Sequence, residues 1–166
     1  MTLPLAITRL ALLTPLGFDT WSALLTDRRL SDNSAVPDEL LDPDSSLDRS
    51  LRLALAVAGR TAPPPDAALF AGTSKGPVTT WLAALDTLAA GHALTRAQAA
   101  YVALGAGAMS SILSQRLNLR GGAHTSVAAC SSGMQALHRA VSAVAHGEVP
   151  RALVVGADAS LHPLGS

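Results

Sequence analysis

The chain has a single cysteine, Cys130, in the stretch Thr125-Ser-Val-Ala-Ala-Cys130-Ser-Ser-Gly133, which runs directly into Met134-Gln-Ala-Leu-His-Arg-Ala-Val-Ser-Ala-Val-Ala-His146. The first part reads as a short buried strand. The second reads as a helix, because Met134, Leu137, Val141 and Val144 recur at i, i+3, i+7 and i+10 and would form one apolar face. The thiol therefore falls at a strand-to-helix turn, where Ser131, Ser132 and Gly133 are small enough for a tight bend and for close approach of another molecule. A helix N-terminus presents unpaired N–H groups and about half a positive charge, which favours the thiolate, the reactive form of a cysteine. Cys130 is a candidate covalent nucleophile. The competing reading is a free cysteine used as a small buried hydrophobe.

The neighbours of Cys130 weigh for the first reading. Gly121-Gly122 turns the chain into the strand at Thr125 to Val127, and the elbow Ala129-Cys130-Ser131-Ser132-Gly133 follows. A helix then ends at Gly147, and Ala152-Leu-Val-Val-Gly156-Ala-Asp158-Ala-Ser160 reads as a further strand and its turn. This order resembles the active-site region of the β-ketoacyl synthases, the condensing enzymes of fatty acid and polyketide synthesis. Taken alone, an Ala-Cys-Ser-Ser-Gly pentapeptide would be a weak motif. The resemblance implies that Cys130 accepts an acyl group as a thioester and that its own backbone N–H is an oxyanion donor. It also implies that Ser131, Ser132 and Gly133 border the substrate, and that acyl carrier protein delivers that substrate on a phosphopantetheine arm, with no metal or other cofactor.

The remaining elements must position this elbow. Residues 3–13 read as a first strand ending at the turn Thr14-Pro15-Leu16-Gly17, which also resembles the opening of the family. Asp19 can cap a following helix whose buried face is Trp21, Leu24 and Leu25. Residues 27–47 mix charge, Ser, Pro and Asn without periodicity and read as a loop. Asp48 to Ala62 reads as a helix, ended by Pro63-Pro64-Pro65. Residues 67–71 form the second strand, which enters Gly72-Thr73-Ser74-Lys75-Gly76-Pro77. That loop lacks the spacing of a phosphate-binding Walker motif. In the resembling family a loop in this place lies near the acyl pocket, so Thr73 and Ser74 are expected to border the substrate, although Ser74-Lys75 departs from the family's Gly-rich pattern. Pro77 can open a helix lined by Val78, Trp81, Leu82, Leu85 and Leu88 up to Gly91. A longer helix is expected from Thr95 to Asn118. Its Gly105-Ala-Gly107 patch costs about 1 kcal/mol per Gly relative to Ala, a cost that close approach of another backbone would justify.

The order of strands and helices is α/β. The resemblance makes residues 1–166 a single domain, the N-terminal half of a thiolase-like fold, with a mixed sheet covered by helices on both faces. No internal repeat is evident.

Composition bounds the function. The 166 residues are 49% apolar and only 14% charged, which points to a large buried or shared surface and to association with another chain. Twelve basic side chains against twelve acidic ones, with no basic run longer than Arg28-Arg29, argue against nucleic-acid binding. One cysteine forms no internal disulfide, and the five histidines show no metal-ligand spacing, so a reducing cytoplasm is the default compartment. The apolar N-terminus lacks the basic start of a signal peptide, and the stretch Tyr101 to Leu113 is shorter than the roughly 20 residues a membrane span needs.

In the resembling family, a second, similar half supplies two histidines, a lysine and an oxyanion amide. His138 lies two turns into the helix, about 12 Å along its axis from the elbow. His146 ends that helix, His124 is six residues before Cys130 on an extended strand, and His92 and His162 are in loops. These histidines read as surface or packing residues. The expectation is a synthase subunit that works with a second ketosynthase-half chain or as a homodimer. Because residue 1 is Met, any missing part is expected beyond the C-terminal end. The alternative is a non-catalytic structural or regulatory protein that keeps the elbow because the fold needs it.

Overall fold

The computed structural model describes residues 6–9, 11, 36 and 38–159. Three strands, β1 (Ala68–Gly72), β2 (Ala123–Ser126) and β3 (Ala152–Gly156), form a sheet of order β2-β1-β3. Both pairings are parallel, with Gly72 opposite Ser126 on one side and Gly156 on the other. All the strand ends that precede functional loops therefore lie along one edge. Among the described residues the sheet is purely parallel. This differs from the expected mixed sheet, and of the first strand expected over residues 3–13 the described part, residues 6–9 and 11, carries no strand. The helix expected after Asp19 lies outside the described residues.

Parallel strands need crossovers that cover both faces, and the helices do this unequally. α1 (Arg49–Gly59), α2 (Val78–Ala89), α3 (Arg96–Leu104) and α4 (Ala108–Arg116) follow in order, and α5 (Ser132–Ala145) joins β2 to β3. On one face Leu69, Ala71, Leu153 and Val155 pack with Leu51 and Leu55 of α1 and Met109 and Leu113 of α4. On the other, Ala68 and Phe70 pack against Ala136, Ala140 and Ala143 of α5. β1 lies between these layers and is buried along its whole length.

α5 runs where the sequence predicts a helix, but with a different face inward. Its buried residues are Ser132, Ala136, Ala140 and Ala143, while Met134 is 67% and Val141 44% exposed. Small side chains let the helix axis come close to the sheet, and the bulkier apolar residues are left to face outward. β2, expected to be buried, is exposed at Ala123 and His124 and half-buried at Thr125 and Ser126.

The helix expected over 95–118 is two helices. Thr95 caps the first in a capping box with Gln98, as its residue type suggests. The break comes at Gly105, whose φ of +55° favours glycine, and a 3-10 turn over Gly105–Gly107 leads into α4. A Cβ at Gly105 or Gly107 would meet nothing within 4 Å, so within this chain the glycines serve the break and not a close backbone contact.

One residue, Asp48, ties three of the helices together. Asp48 caps α1 by accepting from Ser50 N at 2.9 Å and Ser50 Oγ at 2.6 Å. Its other oxygen accepts from Thr79 Oγ1, Thr80 N and Thr80 Oγ1 in the first turn of α2. The Asp48 N–H donates to the hydroxyl of Tyr101 in α3 at 3.3 Å.

Candidate active site

The turn from β2 to α5 is built on one strained residue. Ala129 has φ +46°, the left-handed region, which costs a non-glycine residue of order 1–2 kcal/mol and persists only where the surroundings hold it. Cys130 follows it within a 3-10 turn over Ala129–Ser131, immediately before α5, and its side chain is exposed. The thiol thus stands clear at the carboxyl edge of the sheet, not in the core.

Two serines hold the strain. Ser132 is buried, and its Oγ accepts from Ala128 N at 2.8 Å while donating to the Ala129 carbonyl at 2.7 Å. Ser131 donates to the Ala128 carbonyl from its N–H at 3.0 Å and from its Oγ at 2.7 Å. Both serines, expected beside the substrate, have their hydroxyls engaged with the turn. At Gly133 an added Cβ would meet nothing within 4 Å, so that side of the first helical turn is open.

The loop after β1 reaches the same edge. Thr73 is fully buried, and its N–H continues the sheet by donating to Ser126 O at 3.1 Å. Its Oγ1 accepts from Gly76 N at 3.0 Å and donates to Asp158 Oδ1 at 2.9 Å. Ser74 N donates to both oxygens of Asp158, at 2.9 and 3.0 Å. Lys75, next to them, is exposed. Sequence reasoning picked out the loop but not Asp158, which is 84 residues further on. The Gly-Ala-Asp that closes β3 was the only available sign of it.

The described histidines are engaged elsewhere or face solvent. His124 stacks on Phe70 with ring centroids 5.0 Å apart, and His146 Nδ1 lies 2.8 Å from Ser142 O in its own helix. His138 is exposed on α5 and His92 is exposed after α2, while His162 falls outside the described residues. Among the described residues no group of three or more His, Cys, Asp or Glu side chains could hold a metal ion. No described helix is long and apolar enough to cross a membrane.

A parallel α/β sheet with a cysteine elbow at its carboxyl edge, leading into a helix laid across the sheet, matches the thiolase-like ketosynthase fold. The chain belongs to the β-ketoacyl synthase family: residues 46–166 match the model of the beta-ketoacyl synthase N-terminal domain. That match begins after Thr14-Pro15-Leu16-Gly17. No curated protein matches the chain. Among solved structures it is similar to a chain of the ketosynthase ApeO in complex with its chain length factor ApeC from Xenorhabdus doucetiae. The TM-score is 0.59 at 20% identity, over 89% of this chain and 64% of that one. The chain therefore spans somewhat less than two thirds of that neighbour's length.

Proposed function

We propose that this chain is a β-ketoacyl synthase subunit in which Cys130 accepts an acyl group and then takes part in decarboxylative condensation, with a second chain supplying the rest of the site. The observation that carries the reading is the exposed thiol held on the strained Ala129 elbow, since strain persists at a turn only where the surroundings maintain it. In the first step the Cys130 sulfur attacks the carbonyl of an acyl thioester on the phosphopantetheine arm of acyl carrier protein. The new bond is Cys130 S–C(acyl), and the pantetheine thiolate leaves. A malonyl thioester then loses carbon dioxide to give an enolate, whose carbon attacks the acyl-Cys130 carbonyl, forming the carbon–carbon bond and releasing the Cys130 thiolate.

Both tetrahedral intermediates and the enolate place negative charge on oxygen. Removing a single donor from such a site costs on the order of a hundredfold to a thousandfold in rate. The Cys130 backbone N–H is assigned to one oxyanion and the enolate donors to the partner; among the described histidines, His124 stacks on Phe70, His146 lies against Ser142, and His92 and His138 are exposed away from the elbow. A partner chain is also supported by the outward apolar residues at the elbow and along α5, Val127, Met134 and Val141. The neighbour of known structure is itself in complex with a chain length factor. The reducing cytoplasm suits a working thiol.

Native mass spectrometry of the chain from its own cells tests the pairing. A complex with a second polypeptide that condenses acyl and malonyl units supports a two-chain synthase. A bare homodimer without condensing activity supports a non-catalytic structural or regulatory subunit instead.

A further inference from the structure

We infer that Asp158 is a positioning residue for the Cys130 elbow, and this rests on the ketosynthase reading above. Its carboxylate gathers Thr73 Oγ1 and, through both oxygens, Ser74 N, within 3.0 Å. Three hydrogen bonds on one carboxylate fix the first two residues after β1, and bonds to an ionised acceptor are roughly twice as strong as neutral ones. The clamp sits on the sheet ladder itself: Thr73 N donates to Ser126 O, and Ala157 N donates to Gly72 O at 3.1 Å. Asp158 thereby joins the ends of all three strands where the elbow begins.

From there the coupling reaches the thiol through backbone. A Cβ at Gly72 would lie 2.6 Å from the Ser132 carbonyl oxygen and 2.9 Å from Gly133 Cα, so the first turn of α5 rests directly on the residue before the clamp. Ser132 in turn holds the Ala128 N–H and the carbonyl of the strained Ala129. The path Asp158, Thr73, Gly72, Ser132, Ala129, Cys130 is contiguous at every step. The hydrogen-bond partners of Asp158 are Thr73 and Ser74, not the thiol. It acts by setting where the thiol stands.

The test compares the full chain with Asp158→Asn and Asp158→Glu, measuring the rate of Cys130 alkylation by iodoacetamide under native conditions. Asn keeps the shape but turns one of the two acceptor oxygens into a donor. Glu keeps both acceptors on a longer arm. The alkylation rate is expected to fall at least fivefold in Asp158→Asn and to recover to within twofold in Asp158→Glu, with both variants folded. Peptide-resolved hydrogen exchange gives a second readout, expected to rise in Asp158→Asn at residues 73–76 and also at 126–132. A rate within twofold of wild type, or faster exchange confined to 73–76, overturns the inference. Alkylation needs no partner or acyl donor, so a chain that shows the Asp158 effect yet accepts no acyl group even in its folded, partnered complex refutes the synthase reading and leaves the positioning role standing.

Discussion

Gly72 and Ser132 are in backbone contact across the junction of β1 and α5, so close that a Cβ on the glycine would stand 2.6 Å from the serine's carbonyl oxygen. The neighbouring atoms are backbone and cannot turn aside as a side chain would. Gly72→Ala must therefore push the start of α5 off the sheet, and overpacking of this kind costs about 1–3 kcal/mol. A calorimetric melt should fall by several degrees, at about 2–4 °C per kcal/mol for a chain of this size. An unchanged melting temperature would show that the helix start is not seated on β1.

Asp48 gives a larger effect without touching the elbow. It is 3% exposed and accepts five hydrogen bonds from Ser50, Thr79 and Thr80. Asp48→Ala leaves these donors without their acceptor and removes the α1 cap, at an expected cost of about 3 kcal/mol or more. Urea unfolding should show the midpoint falling while the slope stays the same. A loss under 1 kcal/mol would mean water replaces the carboxylate freely.

Tyr101 supplies an alkaline signature. Burial pushes its phenol above the ordinary value, the nearby Asp48 charge adds to this, and the hydrogen bond from the Asp48 N–H opposes it. A raised folded-state value means that the native chain holds the proton more tightly than the unfolded one. The stability this contributes is complete below the unfolded value of about 10. It is lost as pH rises through the higher folded one. Tyr101→Phe should flatten that alkaline loss while costing about 1 kcal/mol at neutral pH for the bond from Asp48. Chemical denaturation at pH 7, 9, 10 and 11 checks both; identical alkaline slopes for the two proteins would contradict the assignment.

Much of this architecture was legible in the sequence, and the failures share a cause. The helix starts at Asp48 and Thr95, Gly147 after α5 and the strand-to-helix elbow are local signals, legible because a few adjacent residues determine them. The buried face of α5 differs from its apolar stripe because bulk is no sign of burial where a helix lies close on a sheet. At a close helix–sheet contact the small residues Ala136, Ala140 and Ala143 go inward, and Met134 and Val141 are left outside. The split at Gly105 was hidden because apolar periodicity does not reveal a positive φ. The Asp158 clamp has no local sign beyond the Gly-Ala-Asp that closes β3, since only the parallel register of β1 with β3 brings residues 84 apart in sequence together.

The most direct test of the account is to incubate the chain and its co-purifying partner with acyl-loaded carrier protein and map the products by peptide mass spectrometry. The account predicts one acyl thioester, on the peptide bearing Cys130, which hydroxylamine removes and Cys130→Ala abolishes. Acylation on any other residue, or none while the intact partnered complex is shown to be folded, would contradict it.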